Sequence, residues 1–472
     1  MTEQEKTDYL VSPEKFFPAD LHRGALLGNQ AFITAAEQYV NILSESQYWP
    51  LKRINEVQVK RLRLLASKIS SRSHFWAERF HKNGLDPRII TVDNLSHLPV
   101  LSRAELLKLG DAIYVAPETE DGPIFSRFSS GTTGIPFKLT YSERELILTH
   151  IPLYFRHPVF EKLSLHNILK RKPFVVLGLP GFSYVCRKDF FSNVFPSITS
   201  YDLDRPEIRN EIYRSIIDAA PAILVGFGSL VVKLAHWVLD DKVSLPLLAI
   251  RISSEPISDI ERKTIEYNFK APVANMLSGN GTGFIGFECA ENRERFHINS
   301  ENTILEVVGE NGNAMSYGEE GELVSTSLGF TLTPIVRYAH NDIGQLLSES
   351  CNCGRTLPLF EFHGRRGYEI LLPSGRRLRW IILHTSLMRA GLGRLSRQIQ
   401  IRQDRVDNLH ILIVPKKLFS DSDEINIRLA CTNLFNNEKV NIKIEYVNEI
   451  THSGRKPKFF IPLSSFTKEK EG

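Results

Sequence analysis

Cysteine is scarce in this chain, five in 472 residues. That excludes a small disulfide-stapled scaffold, whose stability depends on a high density of bridges. Charge excess is also small: 58 basic against 54 acidic residues, a formal +4. Nucleic-acid binding normally shows a concentrated basic stripe. The nearest candidates, Lys60-Arg61-Leu62-Arg63 and Arg376-Arg377-Leu378-Arg379, are short and read as solvated faces, so no nucleic-acid partner is expected. No apolar run approaches the length that spans a bilayer. The start, Met1-Thr2-Glu3-Gln4-Glu5-Lys6, is polar and lacks the basic-then-apolar layout of a secretory signal. No membrane association and a cytoplasmic location are the expectation. GxxxxGK[ST], HExxH and GxSxG motifs are absent, and no repeat or low-complexity tract is evident.

What is present is the composition of an enzyme-sized soluble protein, too long for one core. Residues 20–110 read as helical. Val57, Leu62, Leu64, Leu65 and Ile69 recur at helical spacing with charged residues between them. Ser102 with Glu105 three positions on reads as a capped helix start. From 110 to 345, unbroken apolar runs (174–179, 222–226, 247–252) alternate with helical segments such as 229–239. That pattern predicts an α/β core with strands covered on both faces. Beyond Gly364, shorter strand patterns at 398–401, 409–414 and 440–447 surround a helix at 425–435. The expected division is a large α/β domain, 1–363, and a small α+β domain, 364–472.

One stretch dominates the reading of chemistry. Ser129, Ser130, Gly131, Thr132, Thr133 and Gly134 form a run of small residues with four hydroxyls, closed by Ile135-Pro136 and followed by a strand-like 137–141. Such a loop can wrap backbone N–H groups and hydroxyls around phosphate oxygens. Taken alone, its composition favours an ordinary hydroxyl-rich turn.

The order of the remaining motifs resembles the adenylate-forming enzymes, specifically the phenylacetate–coenzyme A ligase and CapK-like branch, over about residues 55–465. The Ser129–Pro136 loop looks like that family's phosphate-binding loop, and 98–103 like the segment leading into it. Ser254-Glu255-Pro256 stands where the family places a Gly-Glu-Pro segment near the nucleotide. Pro334-Ile335-Val336-Arg337-Tyr338, ending at Asp342, resembles the segment whose aspartate binds the ribose, and a carboxylate suits a vicinal diol. Arg365 matches the hinge arginine. Lys456, in Ser453-Gly454-Arg455-Lys456-Pro457-Lys458, resembles the catalytic lysine that offers a point charge to the reacting carboxylate, with Lys458 as the fallback.

The resemblance implies an adenylate-forming-type α/β domain with a mobile small domain, ATP and Mg2+ as cofactors, and a carboxylic acid as substrate. The acyl group would pass to coenzyme A, to a carrier-protein thiol or to an amine. An amide-forming ligase, and a degenerate member that binds nucleotide without adenylating, are the alternatives. Phe182, Tyr184, Phe227, Ser253 and Asn275 are candidates for lining the acyl pocket.

One departure matters. The family's Tyr-Gly-x-Thr-Glu segment falls on 277–281, where Gly281 replaces the glutamate expected near magnesium, leaving Asn280 and Thr282 beside the nucleotide. Gly281, Gly283 and Gly286 also satisfy GxGxxG, with Glu301 at the acidic position. A dinucleotide site further needs a helix opening inside the motif, and 296–308 reads instead as strand or turn. Finally, Cys289, His297, Cys351 and Cys353 offer three thiols and an imidazole. They read either as a closed structural zinc shell or as four unrelated residues, and the resemblance favours Zn2+. Cys186 and Cys431 read as ordinary residues.

Overall fold

The computed structural model describes residues 1–17, 30–118, 124–128, 137–142, 145, 148, 156–161, 174–178, 191–195, 198–199, 202–253, 255, 257–279, 281–436, 438–450 and 459–463. Two compact units result: 1–174 with 183–192 and 274–363, and 175–182 with 193–273 and 364–472. The fold class is mixed α/β.

In the first unit, helices α1 (Glu3–Val11), α2 (Gln30–Ser46), α3 (Leu51–Arg72), α4 (His74–Lys82) and α5 (Arg103–Leu109) precede the strands. Val57, Leu62, Leu65 and Ile69 of α3 are buried as the periodicity predicts. Leu64 is 50% exposed, on the opposite face. Ser102 caps α5, its hydroxyl accepting from the Glu105 N–H at 3.1 Å. The Glu105 carboxylate turns outward to Arg79 instead of closing the box. Arg61 departs from the solvated-face reading: it is buried, and its guanidinium donates to the carbonyls of Leu10 and Leu328. A buried guanidinium is tolerated because backbone carbonyls replace its water.

The strands of this unit are β7 (Val273–Gly279), β8 (Gly283–Glu288), β9 (Arg295–Ile298), β10 (Thr303–Val308), β11 (Gly321–Ser327), β12 (Tyr338–Leu347) and β13 (Leu359–Arg365), in the spatial order β10-β11-β12-β13-β9-β8-β7. The residue pairs in register along them are antiparallel. A separate hairpin pairs β1 (Ile124–Phe128) with β2 (Lys138–Ser142). Leu139 and Tyr141 of β2 pack with α3, α4, Phe330 and Ile335 in one apolar core.

The second unit holds β3 (Phe174–Leu177), β4 (Phe191–Phe195), β5 (Ala222–Phe227) and β6 (Leu247–Ser253), with β5 and β6 parallel. Helices α6 (Pro206–Asp218), α7 (Gly228–Asp240) and α8 (Asp259–Phe269) cover them. Every residue of β5 is buried, as an apolar run without alternation requires. The C-terminal part adds a small sheet of β16 (Ser396–Arg405), β17 (Asn408–Pro415), β18 (Asn441–Tyr446) and β19 (Phe460–Ile461). It packs on α9 (Trp380–Arg389) and α11 (Asp421–Leu434), with α10 (Leu392–Leu395) leading into β16. Cys431 is buried in that core, which pushes its thiol up to about 12, the state of an inert side chain. Among the described residues no helix is long and apolar enough to cross a membrane.

A buried ion pair ties the first unit together across great sequence distance. Arg156 Nη1 lies 2.6 Å from Glu301 Oε2 and Nη2 lies 3.0 Å from Oε1, both side chains being fully buried. The Ser46 hydroxyl, at the end of α2, donates to the same carboxylate. Burial pushes the Glu301 carboxyl up, but the Arg156 charge and these hydrogen bonds outweigh it and hold it below the ordinary range. A depressed carboxyl contributes stability above its unfolded pKa and loses it on acidification. Glu301→Gln is therefore expected to destabilise the protein by about 3–5 kcal/mol in urea titrations at neutral pH, and to flatten the loss of stability below about pH 4.5.

Candidate functional site

The first neighbourhood that carries chemistry lies at the β7–β8 hairpin tip beside β12. Strands β7 and β8 pair as far as Gly279 opposite Gly283. The tip turns through Gly281 at φ +84° and Gly283 at φ +73°, a region that favours glycine. The GxGxxG segment thus opens a strand, not a helix, and the dinucleotide reading falls. A Cβ on Gly281 would lie 2.8 Å from Ile335 Cγ1 and 3.1 Å from Leu139 Cδ2.

On the other side of the tip, a Cβ on Gly279 would sit 2.3 Å from Thr282 Oγ1 and 2.4 Å from His340 Cε1. The bare glycine is what lets hydroxyl and imidazole converge. Thr282 is buried, and its Oγ1 has no hydrogen-bond partner among the described residues. Such an orphaned donor is a group to be met by a ligand or water. His340 Nε2 lies 2.6 Å from Ser325 Oγ, and the ring stands edge-on to Tyr338.

Asp342 follows on β12, half-buried, in a backbone held on both sides. Arg337, at φ +50° and fully buried, pairs with both Glu306 oxygens at 2.9 and 3.0 Å. It also donates to the carbonyls of Ser96, Leu98 and Gly312. Asn341, at φ +59°, donates its N–H to Glu322 Oε1 at 3.0 Å. A carboxylate on so constrained a strand is positioned in advance of any ligand.

The second neighbourhood is a Cys–His cluster. Ligand atoms of Cys289, His297, Cys351 and Cys353 all lie within 4.8 Å of one another. Cys289 and Cys351 sulfurs are 3.3 Å apart, and Cys353 Sγ is 3.2 Å from His297 Nε2. Cys289 follows β8, His297 lies in β9 opposite Leu359 of β13, and the 351–353 turn precedes β13. His297 Nδ1 faces the Leu357 carbonyl at 3.2 Å, so that nitrogen carries the proton and Nε2 keeps its lone pair toward the thiols. Burial pushes the imidazole down to about 4, keeping it neutral. The set fits a tetrahedral metal with no position left for water.

In the second unit, Glu255 follows β6, and its Oε2 accepts from the Ser229 N–H at 2.9 Å at the start of α7. Its carboxylate complements a helix N-terminus, where backbone N–H groups lack intrahelical partners. Arg365 ends β13, exposed, after Gly364 at φ +101°. Ser129, Ser130, Gly131, Thr132, Thr133, Gly134, Asn280, Lys456 and Lys458 lie outside the described residues, as do Phe182 and Tyr184. Of the other acyl-pocket candidates, Ser253 and Asn275 are half-buried, whereas Phe227 is buried in the second unit's core.

Comparison with known proteins agrees with this arrangement. No family profile matches the chain. It is 24% identical to the protein CapK of Staphylococcus aureus over 312 residues, covering 64% of this chain and 66% of CapK. It is 24% identical to the phenylacetate-coenzyme A ligase of Thermus thermophilus over 328 residues, covering 66% of this chain and 70% of that protein. Among solved structures, a 2-hydroxyisobutyryl-CoA ligase in the postadenylation state, in complex with an adenylate, superposes with TM-score 0.68 at 16% identity, over 89% of this chain and 92% of that one.

In sequence the chain is similar to CapK and phenylacetate–coenzyme A ligase, and its fold is that of an adenylate-forming enzyme.

Against the superfamily pattern, Gly281 now has a structural meaning. The position turns through a left-handed conformation, and its side-chain direction is closed by Ile335 and Leu139. A glutamate there would be strained and aimed into packing. Restoring the glutamate of the resembled family is thus no route to a magnesium ligand at this position. His340 and the Arg337–Glu306 clamp were not singled out from the sequence. The available signal was their position within the segment ending at Asp342. Gly281→Glu is expected to lower stability by about 2 kcal/mol or more, from backbone strain and overpacking. The measurement is a urea midpoint; an unchanged midpoint would contradict the closed direction of that side chain.

Proposed function

We propose that this protein activates a carboxylic acid with ATP and transfers the acyl group to a thiol, coenzyme A being the acceptor. The observation that carries the reading is the resemblance to adenylate-forming enzymes joined to Asp342 on the clamped start of β12 and to the orphaned Thr282 hydroxyl against His340 of the same strand. In the first half-reaction a carboxylate oxygen attacks the α-phosphorus. The bond to the bridging oxygen breaks, and pyrophosphate leaves. In the second, the thiolate sulfur attacks the acyl carbon and AMP leaves with the bonding electron pair.

Asp342 would accept hydrogen bonds from the ribose hydroxyls. The Ser129–Gly134 loop would bind the phosphates, with Glu255, Asn280 and Thr282 contributing nearby. Lys456 would place its ammonium against the oxygen that gains charge. A bound Mg2+ supplies charge neutralisation on the phosphates. The large domain, 1–363, and the small domain, 364–472, would pivot at Gly364-Arg365 between the two half-reactions. A closed Zn2+ site at Cys289, His297, Cys351 and Cys353 would be structural, fastening the turn before β13 to β8 and β9.

The test is ATP–pyrophosphate exchange over a panel of aryl, aliphatic and amino acids. Exchange is expected with at least one acid. Asp342→Ala should raise the KM for ATP by at least about tenfold, the scale of losing 1.4 kcal/mol or more of binding. Lys456→Ala should lower the exchange rate by about a hundredfold or more. Background exchange with every acid while AMP still binds would sink the ligase reading and leave a nucleotide-binding member. Product formed from an amine without coenzyme A would redirect the acceptor.

The metal assignment has a separate measurement. Elemental analysis is expected to find about one zinc per chain, and Cys353→Ser should release it and lower Tm by about 5 °C or more. A metal-free protein with an unchanged melting curve would rule it out.

A further inference from the structure

The second unit holds a recess lined by more cations than carboxylates. Lys233 and His236 enter it from α7, Arg394 and Arg397 from the α10–β16 corner, and Lys416 from the residue after β17. Asp204 is the lining carboxylate, with its Oδ2 2.9 Å from Lys233 Nζ. Lys416 Nζ lies 2.6 Å from Asp240 Oδ2 and 4.7 Å from the centre of the Trp237 ring. Among the lining residues four basic side chains thus face the one carboxylate of Asp204, while Asp240 pairs with Lys416 and Glu261 and Asp423 act on His236 and Arg394 from outside the lining.

The recess runs from a buried lysine to an exposed rim formed by Arg394 and Arg397. The Lys233 side chain is only 13% exposed. Burial pushes its ammonium below the ordinary lysine value; Asp204 opposes this, and the charges of Arg397 and Lys416 push further in the same direction. His236 is likewise held down, first by burial and then by Lys416. At the buried end, around Lys233, charge is screened poorly by salt. The enclosed part is about 30 Å³, on the scale of one water, and it opens to solvent at the arginine rim, where a small oxyanion has room. Guanidinium forks and ammonium donors together match a tetrahedral anion.

We propose that this recess is an anion site taking a single phosphoryl group, either free phosphate or a phosphate carried on a nucleotide, built from residues other than Ser129–Gly134. An occupant accepts hydrogen bonds from α7 on one side and from the α10–β16 corner on the other. It therefore ties the covered sheet of the second unit to its C-terminal part. The proposal does not depend on the ligase reading, because it invokes no reaction.

The experiment is calorimetric titration of the full chain at low ionic strength with inorganic phosphate and, separately, with adenosine 3′,5′-bisphosphate. It uses wild type, Arg394→Gln/Arg397→Gln and the conservative Arg394→Lys/Arg397→Lys. Both arginines are exposed, so the double variants are expected to fold, and the urea midpoint checks this. Saturable binding of at least one probe is expected, weakened about tenfold or more in the Gln variant and largely rescued in the Lys variant. Tighter binding of the bisphosphate would identify a nucleotide-borne phosphate, and equal or tighter binding of inorganic phosphate a free one. Absence of saturable binding by either probe overturns the proposal. So does binding that differs by less than twofold between wild type and the Gln variant, because the anion then sits elsewhere.

Discussion

The packing that most of the first unit depends on is the close approach of β8, β9 and β13 around Gly286. A Cβ at that position would lie 2.6 Å from the His297 carbonyl and 2.7 Å from the Phe360 ring. With no side chain there, the Phe360 ring packs against the strand and the antiparallel registers of β8, β9 and β13 close on one another. Those registers place His297 opposite Leu359 and bring the 351–353 turn over Cys289. The Cys–His cluster is a consequence of that pairing. A metal bound there reinforces what the strands already arrange.

From the cluster, contacts run back to the helical N-terminal segment. Arg355 donates to Gln47 Oε1 at 2.7 Å and to Glu161 at 3.0 Å, and the Thr356 N–H donates to the Gln47 carbonyl at 2.9 Å. Ser46, the neighbour of Gln47, binds the Glu301 carboxylate that Arg156 neutralises. Phe287 lies between the Arg156 and Arg355 guanidiniums and stacks on His297. Charges here are buried only where each has several partners, as desolvation demands. The α2–α3 junction, the 156–161 segment and the turn before β13 form one polar network inside an otherwise apolar unit.

The strand that bears Asp342 obeys a different logic. Residues 337 and 341 adopt left-handed backbone without being glycine. That conformation persists where surrounding bonds over-determine it. Arg337 supplies them through Glu306 and the carbonyls of Ser96, Leu98 and Gly312. Strain held by a buried clamp beside a candidate ribose-binding carboxylate is the arrangement expected of a preorganised site.

Much of this was readable in order along the chain. The buried run Ala222–Phe227, the capped start of α5 at Ser102 and the strands and helix after Gly364 follow from periodicity and capping chemistry, which are local. The sequence order of the motifs likewise pointed to the superfamily. Arg61 looked solvated because a charge run carries no record of which carbonyls lie above it. The Arg156–Glu301 pair, with partners 145 positions apart, left no local trace. Gly281 read as a lost carboxylate, and only the packing of Ile335 and Leu139 around it showed that no side chain fits its outward direction. By itself, then, the sequence determined the elements, their order and the inventory of reactive groups, because these depend on neighbours a few residues away. Which groups meet, which are desolvated and which directions are closed was decided by tertiary structure, because those properties depend on atoms that the chain brings together only when it folds.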